Sequence, residues 1–270
     1  QNLNVNANVN GQLKNLWYAG SVWGYEPVPN NFYEGHVDGS VFRGWWDWFT
    51  VDWVQTDFNK KYGVMFQVMY VSRSMFNSKR YEFTLQQHFR FGPKFSIAYN
   101  LDVAPQKNNA GFATILSNGD IVFGRRDIQT TENIFDVKYT IKNKMVVRCR
   151  VRHYWSQVNN KELFRLLTDG SLQHIDPVAN VPVDENFNYF TVDAGFNWEF
   201  APGSFINLVW KNNAQEFLTD PFDAPFSDNY FKNFDRTMKI PQNNNFSIKV
   251  IYFLDYLQLK NWKKKKPESK

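Results

Sequence analysis

The chain has 270 residues, of which 18% are aromatic, and its formal net charge is +5 at pH 7. This length fits two soluble domains or one large β domain, and the aromatic-rich composition favours strands. Residues 260–270 (KNWKKKKPESK) hold six lysines and one glutamate, which leaves 25 basic and 25 acidic residues in the rest of the chain. A neutral body argues against a nucleic-acid partner, whereas the basic tail could contact anionic lipid.

Cysteine and histidine content excludes several classes of site. Cys149 is the one cysteine, so no disulfide can form within the chain, and none of the usual Cys/His metal spacings occurs. We therefore predict no metal and no cofactor. No apolar run approaches the ~18 residues of a transmembrane helix, but barrel strands carry a much weaker signature. The sequence begins at Gln1 without a signal peptide, and we expect a processed chain or a fragment.

Apolar and polar residues alternate with a period of two along most of the chain. Residues 2–10 (NLNVNANVN), for example, place one leucine, two valines and an alanine on one face and five asparagines on the other. This alternation is typical of strands with one apolar face, and no segment forms a convincing amphipathic helix. The pattern predicts eleven strands, at residues 2–10, 13–24, 41–56, 62–74, 80–91, 94–104, 120–141, 144–156, 186–200, 204–213 and 246–258.

The connections between these strands alternate between short and long. Tight turns are predicted near residue 11 and at 57–61, 92–93, 142–143 and 201–203; longer connections are predicted at 25–40, 75–79, 105–119, 157–185 and 214–245. In an up-and-down antiparallel sheet, alternate connections lie at the same end. Short periplasmic turns opposite long extracellular loops are typical of outer-membrane β-barrels. A soluble sandwich with binding loops at one end remains the alternative.

The expected fold is therefore an all-β, antiparallel, up-and-down transmembrane β-barrel in the bacterial outer membrane. Residues 1–259 form the barrel segment, and residues 260–270 form a basic periplasmic tail. Bacterial single-chain barrels have an even strand number. Eleven strands therefore predict the C-terminal part of a larger barrel, with the missing strands upstream or on a partner chain.

Aromatic residues mark the ends of the apolar faces, as expected for girdles at the two lipid interfaces. The predicted girdles comprise Phe91, Phe95, Phe200 and Tyr256 near the tight turns, and Tyr81, Trp155 and Trp210 near the long loops.

The segment 145–155 (MVVRCRVRHYW) places basic residues at every second position. An arginine that faces lipid at mid-membrane costs ~2–4 kcal/mol, so Arg148, Arg150 and Arg152 must face the lumen and Cys149 the lipid. Antiparallel pairing through the preceding tight turn sets Asp136 near Arg150, so a cross-strand ion pair is expected.

These polar residues form either a cross-linked barrel wall or a set of selectivity or ligand contacts. The candidates are Arg148, Arg150, Arg152, Tyr154, Glu132 (expected near Tyr154), Asp136, Lys138, His88, Arg90 and Asp193. No catalytic residue is predicted, because the carboxylates available for glycoside hydrolysis are distributed over different strands. Those carboxylates are Asp102, Asp136, Asp193, Glu199 and Asp255. The aromatic segments 44–49 and 220–234 could stack on sugars or serve as packing segments.

Two stretches, residues 124–156 and 226–262, carry a resemblance to a known family. They resemble the C-terminal barrel region of Gram-negative outer-membrane proteins of unknown function. Members of that family typically carry an N-terminal domain similar to family 9 carbohydrate-binding modules. The resemblance covers most of the chain and is weakest in residues 157–185.

The resemblance implies an outer-membrane barrel linked to glycan handling through a domain outside this chain, in transport or surface assembly. Expected partners are the lipid bilayer, a glycan or peptide at the extracellular loops, and other outer-membrane subunits that complete the barrel. Two alternatives remain open: a polysaccharide-active or carbohydrate-binding protein whose binding module lies elsewhere, and a soluble β-sandwich lectin.

Overall fold

The computed structural model describes residues 3–27, 30–44, 46–176, 183–219 and 229–254. Most of these residues are in β-strands. The strands are β1 Val5–Gln12, β2 Tyr18–Glu26, β3 Asn30–Asn31, β4 Phe42–Arg43, β5 Asp47–Gln55, β6 Tyr62–Arg73, β7 Ser78–Arg90, β8 Phe95–Ile115, β9 Ile121–Lys142, β10 Met145–Leu166, β11 Leu172–Ile175, β12 Glu185–Ala201, β13 Ser204–Thr219 and β14 Asn243–Ile251. The helix α1 spans Tyr230–Lys239.

Eleven of these strands form one antiparallel sheet in the order β1-β2-β5-β6-β7-β8-β9-β10-β12-β13-β14. The short strand β11 pairs with the end of β10, and β3 and β4 form a separate two-stranded sheet. The predicted all-β antiparallel sheet is confirmed, and its eleven strands follow one another up and down. Among the described residues β1 and β14 are the edges, and the sheet is not closed into a barrel.

The tight connections lie at one end of this sheet, as the sequence predicts. They join β1 to β2, β5 to β6, β7 to β8, β9 to β10, and β12 to β13. The last of these is a two-residue turn that requires a left-handed backbone, which Gly203 supplies with φ +71. We call this side of the sheet the turn end and the opposite side the loop end.

The predicted loops at 105–119 and 157–185 are wrong over much of their length. β8 continues to Ile115 and β10 to Leu166, so both strands run well beyond their predicted ends. The register of β8 against β9 shifts between Gln106 and Asn109 and again between Phe112 and Thr114. Each bulge adds a residue and breaks the two-residue alternation on which the prediction depends.

The helix α1 was also missed by the sequence pattern. The Asn229 side chain caps its start by accepting a hydrogen bond from the Lys232 backbone N–H at 3.2 Å. The side that faces the sheet mixes Tyr230 and Phe234 with buried Asn233, whereas Phe231 and Met238 are exposed. No helix in the described part of the chain has the length and apolarity to cross a membrane.

Alternation divides the sheet into two faces, and one row across eight strands defines the apolar face. This row joins Tyr62, Phe89, Ile97, Val137, Cys149, Ala194, Trp210 and Phe246. The adjacent row on the opposite, polar face joins His88, Ala98, Asp136, Arg150, Asp193 and Lys211. The apolar face leaves large side chains such as Phe66, Phe83 and Phe135 exposed.

The main buried cluster lies at the loop end. Phe42, Phe123 and Phe164 form it, and the Phe42 and Phe123 rings lie 4.8 Å apart. The segment between β2 and β5 crosses the loop end to reach β8, because the His36 ring stacks on Phe112 at 4.1 Å. The sheet itself is therefore a single layer, and tight packing is confined to the region where the loops meet it.

Candidate functional site

The predicted ion pair between β9 and β10 forms. Arg150 lies directly opposite Asp136, and its Nε and Nη2 donate to the two carboxylate oxygens at 2.9 and 3.1 Å. This bidentate geometry is the strongest arrangement available to an arginine and a carboxylate. On the other side of Arg150, Asp193 of β12 lies opposite it and contacts Lys211 Nζ at 3.7 Å.

Glu132 lies opposite Tyr154, as predicted, but its carboxylate reaches diagonally to Arg152. The Arg152 guanidinium also lies 5.9 Å from the centroid of the Tyr154 ring, a cation–π distance. These three residues therefore form one cross-linked group on the polar face. The charges of Glu132 and Arg152 are therefore satisfied within this group.

The carboxylates considered for glycoside hydrolysis are held apart on the polar face. Glu199 contacts Lys144 at 3.3 Å, and Asp102 accepts a hydrogen bond from the Thr84 hydroxyl. Asp136 and Asp193 have the partners given above, and Asp255 lies outside the described residues. In the described stretches, His, Cys, Asp and Glu side chains form no group of three that could hold a metal ion.

The remaining predicted residues lie near the turn end. Arg148 is opposite Lys138, Lys138 is opposite Ser96, and Ser96 is opposite Arg90. His88 lies one row further from the turns, and its ring is 6.3 Å from that of Phe58.

Sequence reasoning missed a cavity of about 570 Å³ at the loop end. The cavity lies between the segment 30–44 and the loop-end parts of β2 and of β5 to β9. Its walls combine charged, amide and aromatic side chains. They include Glu26, Asn30, Asn31, Phe32, Tyr33, Glu34, Asp47, Arg73, Arg80, Gln106, Asn109 and Arg126.

Three ion pairs surround this cavity, and the Glu26 carboxylate accepts a hydrogen bond from Asn4. Arg73 Nε lies 3.0 Å from Asp47, Arg126 lies 3.6 Å from Glu34, and Arg80 pairs with Glu82. Paired charges and amides offer hydrogen bonds in fixed directions without a strong net field. Such a surface suits a neutral polar ligand, which aromatic side chains at the rim can also contact.

Arg126 fixes the segment 30–44 to the sheet. Its Nε donates to Asn109 at 2.9 Å, and Glu34, its ion-pair partner, accepts a hydrogen bond from the Phe112 backbone N–H at 3.0 Å. Burial lowers the pKa of the Arg126 guanidinium, and the carboxylates of Glu34 and Glu185 oppose that change. Those carboxylates therefore help the cavity wall to hold a buried positive charge.

A second buried group joins α1 to the apolar face at the loop end. The Tyr230 hydroxyl lies 3.0 Å from His153 Nδ1 and accepts from Asn133 Nδ2 at 2.8 Å. Burial raises the pKa of Tyr230 to about 12. Trp155, expected in an exposed girdle, is only 4% exposed, since the helix covers this part of the strand. Its predicted girdle position is therefore wrong, while Tyr256 lies outside the described residues.

The fold and these sites define an all-β protein built on one up-and-down antiparallel sheet with an apolar and an ion-paired face. The chain belongs to the family described as "Domain of unknown function (DUF5916)", whose model matches residues 1–263. The search among curated proteins found no match. The family match agrees with the expected membership of a family of unknown function, and it leaves membrane location and neighbouring domains as proposals.

Proposed function

We propose that this chain forms part of an outer-membrane β-barrel that acts in transport or surface assembly linked to glycan handling. The observation that carries the proposal is the contrast between the two faces of the sheet. The apolar face leaves large aromatic and aliphatic side chains exposed on β1, β2, β5, β6, β7, β9, β13 and β14. Soluble monomers rarely leave a contiguous apolar patch of more than a few hundred Å² open. A lipid bilayer covers such a face along its whole width.

Strand lengths support the same proposal. A membrane-spanning strand needs about 9–11 residues, whereas β9 and β10 have 22 each. The ten residues next to the tight turns then cross the membrane, and the remainder extends beyond it. The loop-end cavity and the helix α1 lie where that extension begins.

The edges of the sheet indicate what completes the barrel. β1 and β14 each have one neighbour among the described strands, and an unpaired edge is not tolerated in hydrocarbon. We therefore propose that further strands, upstream or on a partner subunit, pair with these edges. The soluble β-sandwich lectin is the weaker alternative, since its core requires two sheets packed face to face.

The link to glycans rests on the loop-end cavity, in addition to the family resemblance. Its paired charges and amides match the hydroxyls of a neutral sugar, and the exposed ring of Tyr33 (89%) offers a stacking surface at the rim. A polysaccharide-active enzyme is less favoured, because the described carboxylates lie on separate strands with partners of their own.

Purification with and without detergent tests the proposal. We expect the chain to require detergent and to migrate differently on a gel before and after boiling, as folded barrels do. Val137→Arg, on the apolar face opposite Cys149 and near the middle of the ten membrane-crossing residues of β9, should weaken folding into bilayers by about 2–4 kcal/mol.

Its control is Asn100→Arg on the polar face of β8, opposite the uncharged Gln86 and Ile134, which should change that free energy by under about 1 kcal/mol. A chain that is soluble and monomeric without detergent, or equal effects of the two substitutions, would refute the membrane proposal.

A further inference from the structure

Four basic residues form a patch on the polar face beside the tight turns: Arg90, Lys94, Lys138 and Arg148. On β10, Arg148 lies directly opposite Lys138 of β9. Lys138 is in turn opposite Ser96 of β8, and Ser96 is opposite Arg90 of β7. Lys94 lies in the turn between β7 and β8. Its backbone carbonyl accepts a hydrogen bond from the Thr140 N–H at 2.7 Å. All four side chains belong to exposed residues.

This patch differs from the neighbouring row of the polar face. One row away, Arg150 pairs with Asp136 and Lys211 with Asp193. Within the described ranges, by contrast, none of the four patch residues forms an ion pair. Like charges placed directly opposite each other on neighbouring strands are destabilising, so the Lys138–Arg148 pair has a cost that a bound anion would remove.

The surface beside the patch has the shape and chemistry of an anion site. A depression of about 400 Å³ is lined by nine residues, three of which belong to the patch and none of which is a carboxylate. The nine are His88, Arg90, Gly92, Pro93, Lys94, Phe95, Ser96, Lys138 and Thr140. The two hydroxyls add hydrogen-bond donors between the cations.

We propose that this basic patch binds the oxyanion of a soluble ligand: a carboxylate, sulfate or phosphate group such as an acidic saccharide carries. Oxyanions accept several charge-assisted hydrogen bonds at once, which is what Arg90 and Lys138 offer from two sides of Ser96. The inference concerns the polar face itself and holds whether or not the sheet closes into a barrel.

Thermal unfolding in sulfate tests the proposal, with sodium chloride at the same ionic strength as the reference. Sulfate should raise the unfolding midpoint of the protein in a saturable way, because a ligand that binds the folded state stabilises it. Lys138→Gln removes one charge-assisted contact and should weaken sulfate binding about tenfold. It should also raise the midpoint in low salt, since it ends the repulsion with Arg148.

Lys211→Gln is the matched control, because Lys211 lies on the same face but is paired with Asp193. It should leave sulfate binding unchanged. Equal midpoints in sulfate and chloride would overturn the proposal, as would an equal loss of sulfate binding in both variants. Circular dichroism measures these unfolding midpoints with or without detergent. The outcome for sulfate binding is therefore independent of whether the membrane proposal holds.

Discussion

One buried amide holds α1 on the sheet. The Asn233 Oδ1 accepts hydrogen bonds from Asn186 Nδ2 at 2.9 Å and Asn188 Nδ2 at 3.0 Å, and its own Nδ2 donates to the Asn229 carbonyl at 3.0 Å. All three side-chain amides in the cluster are buried. A buried amide that loses its partner cannot form a replacement hydrogen bond with water. These hydrogen bonds therefore favour one position of α1 on the sheet.

We expect Asn233→Ala to lower the free energy of unfolding by about 2–4 kcal/mol, since it leaves two buried donors unsatisfied. Asp235→Ala is the control on the same helix, with a side chain 65% exposed and only a surface pair to Lys239. It should cost under about 0.5 kcal/mol. Chemical denaturation of both variants measures the difference, and a similar small loss in each would contradict the role given to the amide.

Cys149 tests the proposal that the apolar face of β10 meets lipid. It lies in the apolar row, opposite Val137 and Ala194, and one residue from the exposed Arg148. In intact outer membranes it should resist a membrane-impermeant maleimide and react fully once the protein is unfolded. Tyr33→Cys in a Cys149→Ser background gives the accessible reference at the loop end. Equal labelling rates at the two positions would place the apolar face in water.

At the scale of elements, the Asp127 side chain links the loop-end parts of β8, β9 and β10. Its carboxylate accepts from Lys107 Nζ at 2.7 Å, lies 2.8 Å from Lys161 Nζ, and accepts from the Asn108 backbone N–H at 3.0 Å. Burial alone would raise the pKa of the Asp127 carboxyl, but the hydrogen bonds from the two lysines outweigh it and hold that pKa below its usual range. One side chain thus ties three strands together at the β8 bulge.

Because the folded pKa of Asp127 is depressed, its stabilisation is present above the unfolded value of about 4 and is lost as the pH falls through the folded pKa. Asp127→Asn should therefore unfold at a lower temperature than the wild type at neutral pH. The gap in unfolding temperature should narrow as the pH falls below about 4 and the Asp127 carboxylate becomes protonated. Asp38→Asn, at an exposed loop position, should show no gap at either pH. A gap that stays constant with pH would rule out the ionic contribution.

The same elements show where sequence patterns succeed and where they fail. Alternation located the eleven strands that follow one another across the main sheet, because a strand with one apolar face has apolar residues in steps of two, but it missed β11. It ended β8 near residue 104, since the bulges and the polar run that follows remove the alternation while backbone pairing continues. It missed α1 because Asn233 and Thr237 fill buried positions that a helical pattern expects to be apolar.

The candidate sites divide in the same way. The Arg150–Asp136 pair followed from a two-residue turn and simple antiparallel counting, which involve only neighbouring strands. The loop-end cavity joins the segment 30–44 to β8 and β9, which lie three and four strands beyond β5 in the sheet. No local pattern encodes such a contact. Glu34 and Arg126 are ordinary charged residues until the fold brings them together.

For the whole molecule, strand parity restricts how the sheet can close. β1 runs towards the tight turn that joins it to β2, and β14 runs in the same direction from the loop end, because nine strands separate them in the sheet. Direct contact between the two edges would therefore be parallel in an otherwise antiparallel sheet. Antiparallel closure needs an odd number of additional strands between them.

This parity gives a test by engineered disulfides in a Cys149→Ser background. Val209 lies directly opposite Ser247, so cysteines at these two positions should cross-link efficiently within one chain. Cysteines at Asn8 of β1 and Ser247 of β14, which lie on the same polar face, should not, since intervening strands hold the edges apart by at least two strand spacings, about 9–10 Å. Efficient cross-linking of Asn8 to Ser247 within a monomer would mean that the eleven strands close on themselves in parallel. The proposal of additional strands would then be wrong, even if the protein is a membrane barrel.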